Sequence, residues 1–596
     1  MNILFLKKVK KAIFLYSLFA ILFSCTDKEA YQEITENEKL EVFYKKELNK
    51  TINFLSESLD NNDLESKKER YWNARESFKT IEPILAFLDY DNYNYLNQAN
   101  LLKVDEEDAT AIKIKKPVGY QVLEEILYDD QFDDKEYQKV AKQTIQRLKF
   151  VEKNHTLDFV KPHHILWMLR DGFLRTSLVG ITSFDVPQDS QTINETIWVY
   201  NGIKEIIAIY KSFFNDEKVF SNWNSNIVLI QEKLSKVQFD TFNYYKYYKE
   251  DVFPLMRIWK HTVKDWEVVF PFSQAIDYDS ENLFSDSTFT TAYFLDRLDY
   301  EKLEEEILLG KMLFEDKSLS KGNAMSCASC HQKDLYFTDG FAKSPKTNRN
   351  SPTLLYASLQ KGFFHDKRTG SLEGQIIDVV ENPNEFHSSL NHLEEKVKQN
   401  QNYIIDFKEV YNQEISNENI RKAISAYIAS LNKFNSKFDK SMKSNEVLLT
   451  EDEQNGFNIF MGKGKCATCH FAPIFNGTVP VAYKESEIEL IGVPATNDTI
   501  NAKIDSDLGR YNLFKTEQRK FFFKTPTVRN VEKTGPYMHN GVFSTLEEVV
   551  DFYDNGGGFG LGIDLEYQTL PTDKLNLTKK EKEQLVLFLK TLTDEL

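Results

Sequence analysis

Apolar residues recur at intervals of three and four along most of this chain, which is the spacing of one face of an α-helix. The segments 78–88, 417–434 and 578–592 all show this spacing. Thr450 and Glu453 form a capping-box pattern, the signal of a helix start, just before another such segment. Few segments alternate apolar and polar residues as a half-buried strand does. The pattern therefore predicts a mainly α protein whose helices are joined by polar loops.

The N-terminal segment shows a different pattern. Four lysines between positions 7 and 11 precede an uncharged apolar run at 12–23, which is too short to cross a bilayer and is typical of a signal peptide. The run ends in Leu-Phe-Ser-Cys25, which resembles a bacterial lipobox. We expect residues 1–25 to be a lipoprotein signal peptide and Cys25 to be lipidated, so that the exported protein faces the periplasm while anchored to a bacterial membrane. An ordinary signal peptide with an incidental cysteine is the alternative.

Length and charge limit the classes of function. The chain has 596 residues and a formal net charge of −17. This length provides for a large core and indicates three or four domains. A phosphate backbone attracts a basic surface, so an acidic chain is a poor candidate for nucleic-acid binding. We therefore expect no nucleic-acid partner.

Two short motifs carry the clearest chemistry. Each has two cysteines three positions apart and an adjacent histidine, which is the pattern of c-type haem attachment. The thiols can bond the two vinyl groups of one porphyrin while the imidazole ligates its iron, so the sequence predicts two covalently bound haems c. A zinc site or a redox dithiol is the alternative for either motif. The residues are Cys327, Cys330 and His331 in the first motif and Cys466, Cys469 and His470 in the second.

The positions of these motifs suggest three structural domains. Residues 26–285 contain no cysteine and show helical spacing, so we expect a helical domain there. A first cytochrome c-like haem domain would occupy 286–440 and a second 441–596. The polar stretch 435–446 is expected to be the loop that separates them.

Part of the helical domain loosely resembles the imelysin-like domains of bacterial surface proteins. The resemblance rests on segments 74–89 and 117–130. That family has a Gly-x-His-x-x-Glu motif, and here Gln121 stands in place of its histidine. The substitution weakens the case for a metal site at this motif.

The segment 298–592 resembles the bacterial diheme cytochrome c peroxidase family, which includes the MauG-type enzymes. The resemblance rests on several motifs that follow one another in the family's order. They include RNSPTL at 349–354, LEGQ at 372–375, ENPNEF at 381–386, DLGR at 507–510, KTPTVRNV at 524–531 and GPYMHNG at 535–541.

The resemblance implies that peroxide reacts at the first haem and that electrons arrive at the second. It implies that Glu385 is the acid/base group that moves a proton between the peroxide oxygens, with Gln375 as its hydrogen-bonding companion. Ordinary surface residues are the alternative for both. A small cytochrome c or a cupredoxin would be the electron donor, and a homodimer is the assembly that many family members form.

The second axial position of each iron distinguishes the branches of the family. Its peroxidases close the first haem with a histidine between the first motif and RNSPTL, but none lies between His331 and Arg349, so we expect an open first haem. MauG-type enzymes place a tyrosine ligand of the second haem fourteen residues after the histidine of Pro-Tyr-x-His. Counting from His539 reaches Tyr553, which we expect to ligate that haem. A buried Tyr553 without this role, or ligation by Met538, is the alternative.

One position departs from the family's pattern. His365 stands where the family has a tryptophan that relays electrons between the haems. Imidazole is harder to oxidise than indole, so relay through this side chain is in question. Ligation of the first haem by His365 is the alternative.

The resemblance also implies two kinds of supporting contact. A calcium ion between the haem domains would take the Asn350 side chain and the carbonyl groups of Thr534 and Pro536, an oxygen-only set that suits Ca²⁺. Arg510 and Arg529 are expected to pair with haem propionates, since guanidinium binds carboxylate through two parallel hydrogen bonds. Exposed salt bridges are the alternative for both arginines.

Three functions are compatible with these features. The first is a diheme peroxidase that reduces hydrogen peroxide to water. The second is a MauG-type oxidase that modifies side chains of a partner protein, which Tyr553 and an open first haem favour and His365 does not. The third is a pure electron-transfer cytochrome. Gln375 and Glu385 argue against the third, because a carrier normally closes both axial faces of its irons.

Overall fold

The computed structural model describes residues 34–60, 63–106, 110–295, 302–444, 446, 448–498 and 500–596. Cys25 and the predicted signal peptide lie outside the described residues. Helices dominate the described part, and its named strands form two short antiparallel pairs, which confirms the prediction of a mainly α protein. Within these residues, no helix combines the length and the apolar character that crossing a bilayer requires.

The N-terminal unit is a helical bundle with one small hairpin, as the spacing of its apolar residues predicts. Helices α1 and α2 pack along each other, and α8 packs between α2, α7 and α9. The elements are α1 (Glu36–Leu59), α2 (Leu64–Thr80), α3 (Glu82–Leu88), α4 (Tyr90–Asn97), β1 (Lys103–Asp105), β2 (Lys113–Lys115), α5 (Tyr120–Tyr128), α6 (Asp134–Asn154), α7 (Pro162–Leu178), α8 (Thr192–Ile209), α9 (Glu217–Leu234), α10 (Tyr244–Tyr247) and α11 (Phe253–Asp265).

A cluster of charged side chains is buried in the core of this bundle. The Arg75 guanidinium lies 3.0 Å from a carboxylate oxygen of Glu195. Asp185 accepts hydrogen bonds from Lys79 at 3.0 Å and from Arg175 at 2.8 Å. Because each buried cation has a carboxylate partner, the cluster fixes how α2, α7 and α8 meet, and losing one partner would leave an uncompensated charge.

The two haem units follow, each with its Cys-x-x-Cys-His motif after a helix. In both motifs the cysteines lie on a single 3₁₀ turn, Cys327–Ser329 or Cys466–Thr468. The elements are α12 (Thr291–Phe294), α13 (Leu303–Glu315), α14 (Leu372–Glu381), α15 (Leu390–Lys398), α16 (Gln401–Tyr411), α17 (Asn417–Ala429), α18 (Lys437–Lys443), α19 (Glu451–Met461), β3 (Ile488–Glu489), α20 (Tyr511–Phe514), β4 (Phe523–Lys524), α21 (Leu546–Asp554), α22 (Gly557–Gly560) and α23 (Lys579–Thr591).

The predicted helix starts are present. The Glu453 amide donates to the Thr450 hydroxyl at 3.3 Å, and the Thr450 amide donates to the Glu453 carboxylate at 2.7 Å. This reciprocal cap satisfies amides that the first turn of α19 would otherwise leave unpaired. The cap therefore fixes where the helix that leads into the second haem motif begins.

Both haem units use the same helix crossing. Where α13 meets α17, a Cβ on Gly310 would overlap the carbonyl oxygen of Ala423 and lie 3.0 Å from the Cβ of Tyr427. Where α19 meets α23, a Cβ on Gly456 would overlap the carbonyl oxygen of Gln584 and lie 2.7 Å from the Cβ of Phe588. Each crossing therefore requires glycine, because any side chain would push the two helices apart.

The expected separating loop at 435–446 contains a helix instead. Helix α18 occupies most of that stretch, and its start is capped by Ser436. Phe438 packs on Phe457, Phe475 and Phe588 of the second haem unit, with ring centroids 4.9 to 5.9 Å apart. The polar residues misled the prediction because one buried phenylalanine outweighs them. The predicted boundary at 440/441 falls inside this helix, which packs with the second unit.

The helical bundle packs directly on the second haem unit. The Tyr245 hydroxyl lies 2.7 Å from that of Ser441, and Lys249 donates to the Ser441 carbonyl at 2.7 Å. At another point Arg510 donates to Glu106, which directly follows β1, at 2.9 Å. The bundle and the second unit therefore share an interface that contains aromatic, neutral and ionic contacts.

We predict that Gly456→Ala destabilises the second haem unit by about 1–3 kcal/mol, the usual cost of overpacking a tight contact. The free energy of unfolding, followed through Soret absorbance in denaturant, measures the change. Gly370→Ala is the matched control, because a Cβ there meets nothing within 4 Å. Equal unfolding midpoints for the two variants would contradict the role of this crossing.

Candidate haem and peroxide site

The first motif holds its histidine in the orientation that an iron ligand needs. The Nδ1 atom of His331 donates to the carbonyl oxygen of Phe337 at 3.0 Å. The His331 amide also bonds back to the Cys327 carbonyl at 3.0 Å, which closes the turn. Nδ1 is thereby used by the protein, and Nε2 remains for a metal.

The second motif repeats this arrangement with a different acceptor. Nδ1 of His470 lies 2.9 Å from the carbonyl oxygen of Pro526, within KTPTVRNV, and 3.3 Å from that of Phe475. Burial lowers the pKa of His470 to about 4, so the ring is neutral at physiological pH, as a metal ligand must be.

The cysteines fit covalent haem attachment better than a redox dithiol. All four are free thiols and partly buried. Burial raises the pKa of Cys327 and of Cys466 to about 12, whereas a reactive dithiol needs a lowered pKa. Among the described residues, no group of three or more His, Cys, Asp or Glu side chains could hold a metal ion, which argues against the zinc alternative. The two thiols and free Nε2 of each motif can hold one haem c.

Glu385 lies beside the first motif. Its carboxylate is close enough to raise the pKa of both Cys327 and Cys330 electrostatically. A main-chain hydrogen bond of 3.2 Å from Lys321 to Phe386 ties the Glu385 loop to the loop that leads into the motif. Burial raises the pKa of Glu385 above its ordinary value, although a 2.7 Å hydrogen bond from Asn382 opposes the shift.

Gln375 lies on the helix that supports this loop. It is half-buried on α14, four residues before Val379 and therefore on the same face. The loop folds back onto this face, since the Phe386 amide donates to the Val379 carbonyl at 3.4 Å. Within the described residues the Gln375 amide has no side-chain hydrogen bond, so its donors and acceptor are free for a ligand.

Tyr553 lies beside the second motif, near the end of α21. Burial raises its pKa well above the ordinary value, and the charges of Cys469, Cys466 and Glu489 add to the shift. Its hydroxyl has no hydrogen-bond partner among the described residues. Since buried hydroxyl groups normally find a partner, an unpartnered phenol here is available to a ligand.

Glu489, which the sequence reasoning did not single out, belongs to the same site. The Cys469 thiol lies 3.6 Å from its carboxylate, and burial together with the charge of Glu487 raises the pKa of Glu489 to about 7. It follows an ordinary apolar residue on β3, and only the pairing of β3 with β4 brings it here. No local pattern in the sequence marks it.

His365 lies on a route of covalent and hydrogen bonds between the two motif histidines. Its Nε2 atom contacts the Asn350 carbonyl at 3.2 Å, and the next residue, Ser351, places its hydroxyl 3.4 Å from Nδ1 of His331. On the other side, the His365 carbonyl accepts from the Lys524 amide at 2.7 Å. Lys524 stands two residues before Pro526, the partner of His470. The imidazole is thus held against the main chain at the junction of the two units.

The two arginines expected at haem propionates have protein partners. Arg529 is fully buried and forms two 2.9 Å hydrogen bonds with Asp439 on α18. Its Nε donates to the Pro473 carbonyl at 2.9 Å. This corrects the alternative of an exposed salt bridge and gives the guanidinium to a carboxylate of the protein. Arg510 likewise binds Glu106 and the Asp366 carbonyl.

The residues expected at calcium lie close together. The Asn350 side-chain nitrogen donates to the carbonyls of Met538 at 2.8 Å and Pro536 at 3.2 Å. Its Oδ1 atom is buried without a hydrogen-bond donor among the described residues. Thr534 ends a 3₁₀ turn two residues before Pro536. A buried oxygen with no donor beside a main-chain carbonyl suits a hard cation.

Comparison with known proteins identifies the class. The family model for di-haem cytochrome c peroxidase matches residues 304–447. Cytochrome-c peroxidase IdrP2 of Pseudomonas sp. (strain SCT) is 32% identical over 316 residues, covering 48% of this chain and 81% of that protein. Cytochrome c551 peroxidase of Nitrosomonas europaea is 33% identical, covering 48% and 79%. Methylamine utilization protein MauG of Methylorubrum extorquens is 28% identical, covering 49% and 79%.

The chain therefore belongs to the di-haem cytochrome c peroxidase family and is an oxidoreductase of that type. The family carries covalently bound haem c, which the two motifs here are built to hold. The matches span about half of this chain, and the imelysin-like interpretation of the helical bundle stays a prediction.

Proposed function

We propose that this protein reduces hydrogen peroxide to water at the first haem, with electrons that arrive through the second. The observation that carries the proposal is the position of Glu385, a partly buried carboxyl group with a raised pKa beside Cys327 and Cys330. An electron carrier has no use for such a group at an iron site. A peroxidase needs one, because cleaving the O–O bond requires moving a proton.

The chain's own residues divide the proton chemistry between them. Bound haem supplies the open metal position and the electrons. Glu385 takes the proton from one oxygen of hydrogen peroxide and returns it to the other, which leaves as water. Gln375, whose amide is free, orients the peroxide by a hydrogen bond. Two electrons and two protons complete the conversion of one peroxide to two waters.

We predict that Glu385→Gln lowers peroxide turnover about 10²- to 10⁴-fold, the usual contribution of a general acid–base group. Steady-state turnover with a reduced cytochrome c or cupredoxin measures the loss. In the wild type the carboxylate accepts the proton, so activity rises with pH through the pKa of Glu385. Since burial raises this pKa, the acid limb should lie above 4.5 and vanish in the variant.

Glu381→Gln is the matched control, because Glu381 lies in the same ENPNEF motif and is exposed. It should keep wild-type turnover and the acid limb. Both variants should carry two haems with unchanged oxidised spectra. Undiminished turnover in Glu385→Gln would contradict the assignment.

A MauG-type oxidase that modifies a partner protein is the second candidate function, and Tyr553 is the observation that favours it. An unpartnered, buried phenol near the second motif is placed to ligate that iron. A phenolate ligand is anionic and stabilises Fe(III), which lowers the reduction potential of that haem.

We predict that Tyr553→Phe raises the reduction potential of the second haem and removes the phenolate charge-transfer band, because the anionic ligand is lost. Spectroelectrochemistry and EPR of the oxidised protein measure both. Tyr567→Phe, a tyrosine in the same C-terminal part of the chain, is the control. An unchanged potential and spectrum in Tyr553→Phe would exclude ligation by this residue.

We also propose that the junction of the haem units binds calcium through Asn350, Thr534 and Pro536. The buried Oδ1 atom of Asn350 supports the proposal, since it has no donor among the described residues. Rotating the amide would turn this oxygen toward the carbonyl of Pro536, which lies 3.2 Å from the side-chain nitrogen.

Calcium removal should lower the melting temperature of the holoprotein, and Asn350→Ala should weaken calcium binding about tenfold or more because one oxygen ligand is lost. Metal analysis after dialysis and calcium titration measure these effects. Asn402→Ala, at an exposed helix position, should bind calcium as the wild type does. Wild-type protein that contains no calcium after purification in its presence would overturn the site.

We further propose that the protein is exported to the periplasm and anchored to a bacterial membrane by lipid on Cys25. The lipobox-like sequence before Cys25 supports the proposal, and so does the composition. Four of the five cysteines belong to haem motifs, which leaves Cys25 with no partner for a disulfide. A small cytochrome c or a cupredoxin would deliver the electrons.

A further inference from the structure

The helical bundle carries an exposed patch of large apolar side chains, which we call the aromatic face. Its outer members are Val269, Phe272 and Phe159, with 86%, 61% and 54% of their surface exposed. Most other phenylalanines of the bundle are buried or half-buried. Exposed apolar side chains grouped in one place mark a surface that contacts another phase or partner.

The three residues form one continuous surface through the rings beneath them. Phe159 contacts His164 with ring centroids 6.1 Å apart, and His164 contacts Trp167 at 5.7 Å. Trp167 in turn contacts Phe272 at 5.1 Å and Phe270, the neighbour of Val269, at 5.6 Å. The patch is therefore a supported aromatic layer and not a set of isolated side chains.

The loop that presents Val269 and Phe272 is held in place. The Tyr278 hydroxyl donates to the Phe272 carbonyl at 2.7 Å and accepts from the Trp167 indole at 3.1 Å. Arg170 donates to the Ile276 carbonyl at 3.1 Å. Because the main chain is fixed, the loop keeps these side chains in water until another surface covers them.

The beginning of the described chain lies beside the aromatic face. The Asn37 amide, in the first turn of α1, donates to the carbonyl of Val160, the neighbour of Phe159, at 2.9 Å. Cys25 precedes Ile34 by nine residues. Nine extended residues reach at most ~30 Å, so lipid on Cys25 would keep this side of the bundle close to the bilayer.

We propose that the aromatic face lies in the interfacial layer of the membrane that the lipid anchor holds, and thereby orients the protein on it. The inference rests on the proposed lipidation of Cys25. Aromatic rings favour the headgroup region, where an apolar body and a polar tip both find partners. Lys161 and Asp158 flank Phe159 with opposite charges, and the chain is acidic, so apolar insertion and not headgroup charge drives the contact.

The test uses the acylated holoprotein in vesicles of phosphatidylethanolamine and phosphatidylglycerol. Haem attachment and lipid occupy all five native cysteines, so Val269→Cys gives a unique thiol for a nitroxide label. Ile500→Cys is the matched control, because Ile500 is 80% exposed and lies in the second haem unit. Collision rates of each label with oxygen and with a water-soluble nickel chelate then measure its depth.

The proposal expects the label at 269 to collide at least about tenfold more with oxygen relative to nickel than the label at 500. Equal ratios in protein that carries lipid on Cys25 overturn the membrane contact and leave the anchor intact. An N-terminal peptide whose mass shows no acyl groups overturns the anchor and the orientation derived from it. Spin–spin broadening at 269 would mean that a second copy of the chain covers the face, which also overturns the proposal.

Discussion

The haem sites depend on one repeated interaction, the hydrogen bond from Nδ1 of a motif histidine to a main-chain carbonyl. A histidine free to rotate could present either nitrogen, and the geometry of the porphyrin would be lost. Phe337 provides the acceptor for His331 from a main chain in the left-handed region, at φ 58°, which a phenylalanine adopts only where its surroundings require it. Pro526 provides the acceptor for His470 from a segment that begins in β4. The loops around each site are shaped to hold one oxygen atom.

Much of this arrangement is readable from the sequence because it is local. Cys-x-x-Cys-His closes its own turn, and Thr450 with Glu453 caps its own helix, so spacing alone predicts both. The contacts that could not be predicted join distant segments. Arg529 meets Asp439 across 90 residues, in the stretch where composition suggested a loop. Glu489 reaches the second motif only through strand pairing.

The helical bundle is part of the environment of the second haem and not a separate attachment. Phe184 of the bundle contacts Phe471, the residue after His470, with ring centroids 5.4 Å apart. Glu106 binds Arg510, whose guanidinium also reaches the carbonyl of Asp366, the residue after His365. A donor protein must therefore approach the second haem from a side that the bundle leaves open, which restricts the shape of its partner as much as its charge.

The glycine crossings at Gly310 and Gly456 show that one packing solution is used twice, with the same contacts to the main chain and to a side chain four residues later. Two sites built on the same pair of helices inherit nearly the same histidine and the same cysteines. Whatever makes one iron the receiver of electrons and the other the site of their use must therefore be encoded in the segments after the motifs, which supply Glu385 to one and Tyr553 to the other. The direction of electron flow through this protein is a property of its loops, while its helices are symmetric with respect to it.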